Sequence, residues 1–167
     1  GVCWFEAVAY ANWLNARLSE HDSGVVPASY AVRLPSEAEW EKAARSGDAR
    51  RYPWDDDDWD EDKANIENRI GHVTAMGSYP KGATPSGLSD MAGNVWEWTG
   101  TLYRKYPYKP EDGRNDAEAE GNRVLRGGSW VSYQPLARCA VRGRNDPDGY
   151  GNYVGFRVVV SLANSGF

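Results

Sequence analysis

Apolar residues between Trp4 and Ser19 recur at helical spacing, and Trp4, Phe5, Val8, Ala11 and Leu14 predict one amphipathic helix. The segment RLPSEAEWEKAAR carries a second start signal. Ser36 stands three positions before Glu39, the arrangement of a capping box, and the helix that follows turns Trp40 and Ala44 inward. Beyond Gly47 the helical period disappears into a long loop that carries Pro53 and an acidic run. Short segments bounded by turns then predict strands over His72 to Met76, Val95 to Thr99, Arg123 to Arg126, Arg138 to Arg142, and Val154 to Ser161. In MAGNVWEW a Gly-Asn turn feeds a strand with Val95, Glu97 and Thr99 on one face and Trp96 and Trp98 on the other. The paired glycines of LRGGSW mark a bulge or a close backbone approach. No repeat or low-complexity tract divides the chain. Two helices followed by strands predict a single α+β domain over residues 1–167.

Composition sharpens this picture. The chain is 41% hydrophobic and 26% charged, ordinary for a globular domain, but eight Trp, ten Tyr and 18 Gly point to short strands, many turns and a tryptophan-filled core. A net charge of −5 argues against nucleic acid as a partner. The stretch DDDDWDED lacks the glycine and terminal glutamate of a calcium loop and is expected to be a solvated acidic loop. Cys3 and Cys139 permit one disulfide, although two buried thiols are the favoured reading. The sequence contains no apolar run of membrane-spanning length, so no membrane insertion by this chain is expected. The opening GVCWFEAV lies close to a helix start, which leaves room for an upstream segment or a partner chain that completes the fold. The expected location is the cell surface or a phage particle if a leader or anchor was removed, and otherwise the cytoplasm.

The segments WFEAVAYANWLN, RLPSEAEWEKAAR, YPW, AN, GSYP, GLSDMAGNVWEWT, RVLRGGSW, RCAVR and GFRVV cover nearly the whole chain in order. Together they resemble the formylglycine-generating enzyme (sulfatase-modifying factor) family. The resemblance implies a C-type-lectin-like fold of the formylglycine-generating subclass, with two helices, small antiparallel sheets and much irregular loop. Catalytic members use two cysteines to bind copper and oxidise a substrate cysteine. Cys139 matches the second of that pair, and Gln134 occupies the position of the first, where an amide cannot replace a thiolate as a copper(I) ligand. The sulfoxide synthases of the same fold need an iron site of several histidines, and this chain has only His21 and His72. The family's calcium sites map onto Gly93, Val95 and Glu97, and onto Asn65 and Ile66. The second set lacks its aspartate here, because ENRIGHVTAMG offers none. For Glu97 a buried, hydrogen-bonded carboxylate is the competing reading. Trp96, Trp98 and Trp130 are expected in the core, and Arg126, Arg142 and Arg157 as buried arginines paired to carboxylates.

One compositional gap remains. After Trp130 the chain has no Lys, Glu, Met or Trp, and its only Gln is Gln134, whereas residues 1–130 hold 26 residues of these types. That absence resembles the variable proteins of diversity-generating retroelements, which share the fold and whose Asn codons are rewritten in their first two bases. The resulting NNC codons cannot encode Lys, Glu, Gln, Met or Trp. Positions compatible with such rewriting are Val131, Ser132, Tyr133, Leu136, Val141, Gly143, Asn145, Asp146, Gly149, Tyr150, Gly151, Asn152 and Tyr153, a variable region of about residues 131–153. The resemblance implies a non-enzymatic binding protein that displays diversified side chains to a macromolecular ligand, itself a protein. No cofactor is required, and a structural calcium ion is the one candidate. Tyrosines supply rigid contact area, and Ser, Gly, Asn and Asp adaptable polar contacts. The alternatives are a copper oxidase, a degenerate relative acting as a domain of a larger protein, and a plain Gly/Asn-rich loop without a partner.

Overall fold

The computed structural model describes residues 1–20, 26, 27, 29–54, 59–109 and 111–162. Its elements are α1 (Trp4–Glu20), β1 (Tyr30–Arg33), α2 (Glu37–Arg45), β2 (Trp96–Leu102), β3 (Arg123–Arg126), β4 (Arg142–Asn145), β5 (Val154–Phe156) and β6 (Val159–Leu162). Short 3-10 turns lie at Pro80–Gly82 and Gln134–Ala137. A four-stranded sheet runs β4-β3-β2-β5, and β1 pairs with β6 in a separate antiparallel ribbon. The larger sheet is mixed: β3 is antiparallel to both neighbours, while β5 lies parallel to β2. The expected α+β fold of two helices and small sheets is present, with one parallel pair added to the antiparallel ones. The chain after β4 crosses the sheet before β5 begins, and such a crossover permits parallel pairing.

Alternation along β2 separates two chemistries. Trp98 packs with Trp4, Ala7, Leu34, Leu125 and Val154 in an apolar cluster under α1, and Trp96 lies against its margin. Glu97 points to the opposite face, where Trp40 of α2 donates its indole N–H to the carboxylate at 2.6 Å. On that same face Arg126 pairs with Glu37 and Glu41, and Arg142 pairs with Glu37. Arg157 grips both oxygens of Glu97 at 2.6 and 2.7 Å. The three arginines are therefore paired to carboxylates, as expected.

Both helices form where the pattern predicts them. The Ser36–Glu39 capping box closes on both sides, and Trp40 and Ala44 are buried. In α1 the buried stripe is Trp4, Ala7 and Ala11, whereas Phe5 is 50% exposed and lies outside it. The indole N–H of Trp4 donates to Thr99 O at 3.0 Å, and Asn15 Oδ1 accepts from Val32 N at 2.9 Å. One helix is thus anchored to both sheets.

Three strand expectations need correction, two because a side chain captures the backbone and one because an ion pair interrupts the strand. Residues His72 to Met76 form turns: Asn94 accepts from Thr74 N and donates to Thr74 O, and Asn65 donates to His72 O. The strand expected at Arg138 to Arg142 starts only at Arg142, since Arg126 takes the carbonyls of Cys139 and Val141, each at 2.9 Å. The segment Val154 to Ser161 splits into β5 and β6 where Arg157 turns in to Glu97. Trp130 is half-buried rather than core.

Glu37 serves two arginines, so its neutral variant should be costly. Glu37→Gln is expected to lower unfolding free energy by about 3–5 kcal/mol in urea titrations, the range for breaking a buried pair. Trp98→Ala should lose about 3–5 kcal/mol by opening a core cavity. Lys81→Met, which breaks the exposed pair with Asp62, should leave the midpoint unchanged.

Candidate functional site

Cys139 lies in an apolar cluster with Trp40, Ala44 and Met91, and its N–H donates to Arg51 O. Burial pushes its thiol pKa up to about 11, so it is protonated and inert at neutral pH. Gln134 opens the 3-10 turn and its backbone N–H donates to Glu67 at 2.6 Å. With an amide side chain at Gln134, Cys139 lacks the second thiolate of a copper(I) donor pair. For iron, His72 is exposed with Nδ1 at 2.7 Å from Val73 O, and His21 lies outside the described residues. Among the described residues no group of three or more His, Cys, Asp or Glu is placed to hold a metal ion.

The calcium expectations fare differently at the two sets. At Gly93, Val95 and Glu97 the carboxylate is held by Trp40 and by the guanidinium of Arg157, so a divalent cation there would face an adjacent positive charge. In this structure Glu97 is a buried carboxylate bonded to two side chains, Trp40 and Arg157. At Asn65 and Ile66, Asn65 Oδ1 is buried without a partner and is a hard oxygen that could take a cation. Ile66 O accepts from Arg69 N, and the nearby Glu61 is paired to Arg69. Calcium takes about six to eight oxygens, and this set falls well short. Part of the acidic run, Asp55 to Asp58, lies outside the described residues, while Asp60 and Asp62 are exposed partners of Lys63 and Lys81. Cys3 and Cys139 are both free thiols, with Cys3 half-buried.

The thirteen positions of the odd-composition segment fall on three stretches: the loop and 3-10 turn after Trp130, the edge strand β4 with its flanks, and the loop before β5. The stretches meet around two tryptophans. Trp130 Nε1 donates to Asn152 O at 3.4 Å, and Trp96 N donates to Tyr153 O at 2.8 Å. Tyr133, Tyr150 and Tyr153 are 70%, 77% and 40% exposed, and Val131, Leu136, Asp146 and Asn152 are exposed with them. Val141, Gly143, Asn145, Gly149 and Gly151 are half-buried. Ser132 is the exception: it is buried, and its hydroxyl accepts from Ser129 N at 2.9 Å. Its place is in the scaffold, not on a displayed surface. The scaffold residues Ala137 and Cys139, which lie between these positions, and Val154, which follows them, are buried.

Two helices, a mixed four-stranded sheet and long ordered loops define an α+β domain of the formylglycine-generating type. The chain belongs to the family of sulfatase-modifying factor enzyme 1-like domains, which it matches over residues 1–162. It is 35% identical over 154 residues to hercynine oxygenase of Mycobacterium tuberculosis, across 87% of this chain and 32% of that protein. It is 38% identical over 168 residues to the serine/threonine-protein kinase pkn1 of Chlamydia pneumoniae, across 97% of this chain and 24% of that protein. The chain thus spans about a quarter to a third of these relatives. Among solved structures, Treponema denticola variable protein 1 superposes with a TM-score of 0.77 at 23% identity, across 96% of this chain and 69% of the other. That likeness establishes the shared fold.

The thiols give a direct check on the site around Cys139. At pH 8 Ellman's reagent is expected to titrate Cys3 alone in the folded protein, and Cys139 only after denaturation. The raised folded pKa also means that stability falls as pH rises from about 9, the ordinary thiol value, toward about 11.

Proposed function

We propose that this domain is a non-enzymatic binding module that presents the diversified positions between Val131 and Tyr153 to a macromolecular ligand, most naturally a protein. The observation that carries this reading concerns the backbone. Nine glycines from Gly47 to Gly128 have positive φ, a conformation that L side chains avoid. From residue 131 to 153 no residue has positive φ, although Gly143, Gly149 and Gly151 lie there. Glycine in this segment is a choice of side chain and not a demand of the main chain. A Cβ on Gly149 would meet the Asn145 side chain at 2.5 Å, and one on Gly151 would meet the Tyr153 ring at 2.9 Å. Those neighbours are themselves displayed, movable side chains. Gly143 is tighter, with Leu125 Cβ and the Trp96 ring each at 3.2 Å, so larger residues there require Trp96 to shift.

By contrast, a Cβ on the scaffold residue Gly93 would lie 2.5 Å from Asn65 O, at φ +77. Gly93 is thus confined by main chain, whereas Gly149 and Gly151 meet only side chains, which supports the diversified reading. The Treponema neighbour is titled a variable protein and has this fold. The exposed tyrosines would anchor the contact, since interface hot spots favour aromatics. A second reading, an oxidase or a degenerate oxidase module within a larger protein, is favoured by the oxygenase and kinase relatives. Against the active form stands Gln134, which leaves Cys139 without a second thiolate.

Thermal melts and denaturant titrations separate these classes of position. Gly149→Ser, Gly151→Ser, Tyr150→Ala and Tyr153→Ala should each stay within about 0.5 kcal/mol of the parent. Gly93→Ala should unfold far more easily. A display library randomised at the twelve positions other than Ser132 should fold in most members and yield binders to a test protein such as hen lysozyme. If the tyrosine variants melt like Trp98→Ala, the segment is core and the binding reading fails. Incubation with copper(I) and a Cys-containing sulfatase peptide should give no aldehyde, and aldehyde formation would favour the oxidase instead.

A further inference from the structure

The protein is acidic overall, yet its unpartnered cations are gathered in one place. Most Lys and Arg side chains are engaged, from Arg33 with Glu39 to Arg157 with Glu97. Among the described residues, Lys42, Arg104, Lys105, Lys109 and Arg144 touch neither a carboxylate nor a carbonyl. All are exposed, and all surround the segment Tyr103 to Lys109. Arg104, Lys105 and Lys109 line an open cleft of about 450 Å³. Lys42 lines a second cleft of about 640 Å³ on the other side of Tyr106, Pro107 and Tyr108. Arg144 lies over the ring of Tyr103 at 5.0 Å.

This segment is held rather than loose. Arg142 sits between the rings of Tyr103 and Tyr106 at 4.6 and 4.3 Å and donates to Arg104 O at 3.0 Å. Arg114 stacks on Tyr108 at 4.4 Å and reaches the carbonyls of Lys105 and Pro107, each at 3.4 Å. Both holding arginines are neutralised, Arg142 by Glu37 and Arg114 by Asp112. The main chain is therefore fixed by cations with partners, while the cations without partners face solvent.

We propose that this patch binds an acidic polysaccharide, one bearing sulfate or carboxylate groups. The carboxylates that line the two clefts, Glu37, Glu41 and Asp112, are each paired to an arginine, so they leave the charge of the unpaired cations uncancelled. Tyr106 is 54% exposed on the lip between the clefts, where a ring can stack on the face of a sugar. Spaced cations then meet the acidic substituents of the chain. A long duplex nucleic acid is disfavoured by the net charge of −5 over the whole molecule. The patch uses none of the displayed positions, so the proposal stands apart from the binding role assigned to them.

Calorimetry with a heparin dodecasaccharide tests it, with neutral dextran and polyglutamate as comparators. Binding to heparin, absent with dextran and weakened by added salt, is expected. The triple variant Arg104→Ser, Lys105→Ser, Lys109→Ser should bind roughly tenfold more weakly or worse. A charge-matched control, Lys63→Ser, Arg69→Ser, Lys81→Ser, should retain binding. Tyr106→Leu, which keeps an apolar side chain beside Arg142, should weaken heparin several-fold with the fold retained, which a purely electrostatic attraction would not produce. Tyr150→Ala and Tyr153→Ala should bind heparin like the parent, which keeps this test separate from the displayed segment. The proposal is overturned if heparin does not bind, if the two triple variants weaken equally, or if polyglutamate binds as tightly as heparin.

Discussion

The carboxylate of Glu37, 1% exposed, holds the structure's polar face together. It lies between Arg126 on β3 and Arg142 on β4, and so joins the first residue of α2 to two adjacent strands. Burying these charges costs desolvation energy that only good geometry and additional hydrogen bonds offset. Arg126 meets that condition with Glu41 and two carbonyls, and Arg142 with a second Glu37 contact at 2.7 Å and Arg104 O. Glu97 repeats the device one strand over, between Arg157 and Trp40. Such a layer is more directional than an apolar one, because each guanidinium fits only one placement of its partner. It fixes where β4 begins and where β5 gives way to β6.

That placement matters for whatever the C-terminal segment does. The partners that lock it, Glu37, Glu41, Glu97 and Trp40, come from α2 and β2, outside the segment itself. The residues inside the segment that take part, Arg142, Arg157 and the carbonyls of Cys139 and Val141, contribute charge or main chain. None of the thirteen positions between Val131 and Tyr153, buried Ser132 included, contributes a side chain to the ionic layer. Their identities can therefore change without touching it, which is the mechanical condition for the proposed binding role.

The sequence was legible where contacts are local. The capping box needs only Ser36 and Glu39, three residues apart, and it formed. Strand β3 is bounded by its own arginines and appeared at its predicted limits. What could not be read was long-range. The backbone near Thr74 looked like a strand, but Asn94, 20 residues on, provides its hydrogen bonds. Strand β1 exists because β6 pairs with it from the far end of the chain. Glu37 reads in sequence as an ordinary first-turn acid, and its burial shows only when Arg142, 105 residues away, is placed beside it. The one available signal was the count of arginines expected in the core, each of which needs a carboxylate.

The period of two along β4 lets four residues serve two surfaces. Arg142 and Arg144 project to the α2 side, where they stack on Tyr103, while Gly143 lies against Trp96 and Leu125 on the other side. Successive side chains of a strand point to opposite faces, so substitution at Gly143 or Asn145 leaves the direction of both arginines unchanged. A fixed basic surface and a changeable one can then share a single edge strand. Under the proposed binding role, changes at Gly143 and Asn145 would leave the cationic cleft in place by strand geometry alone.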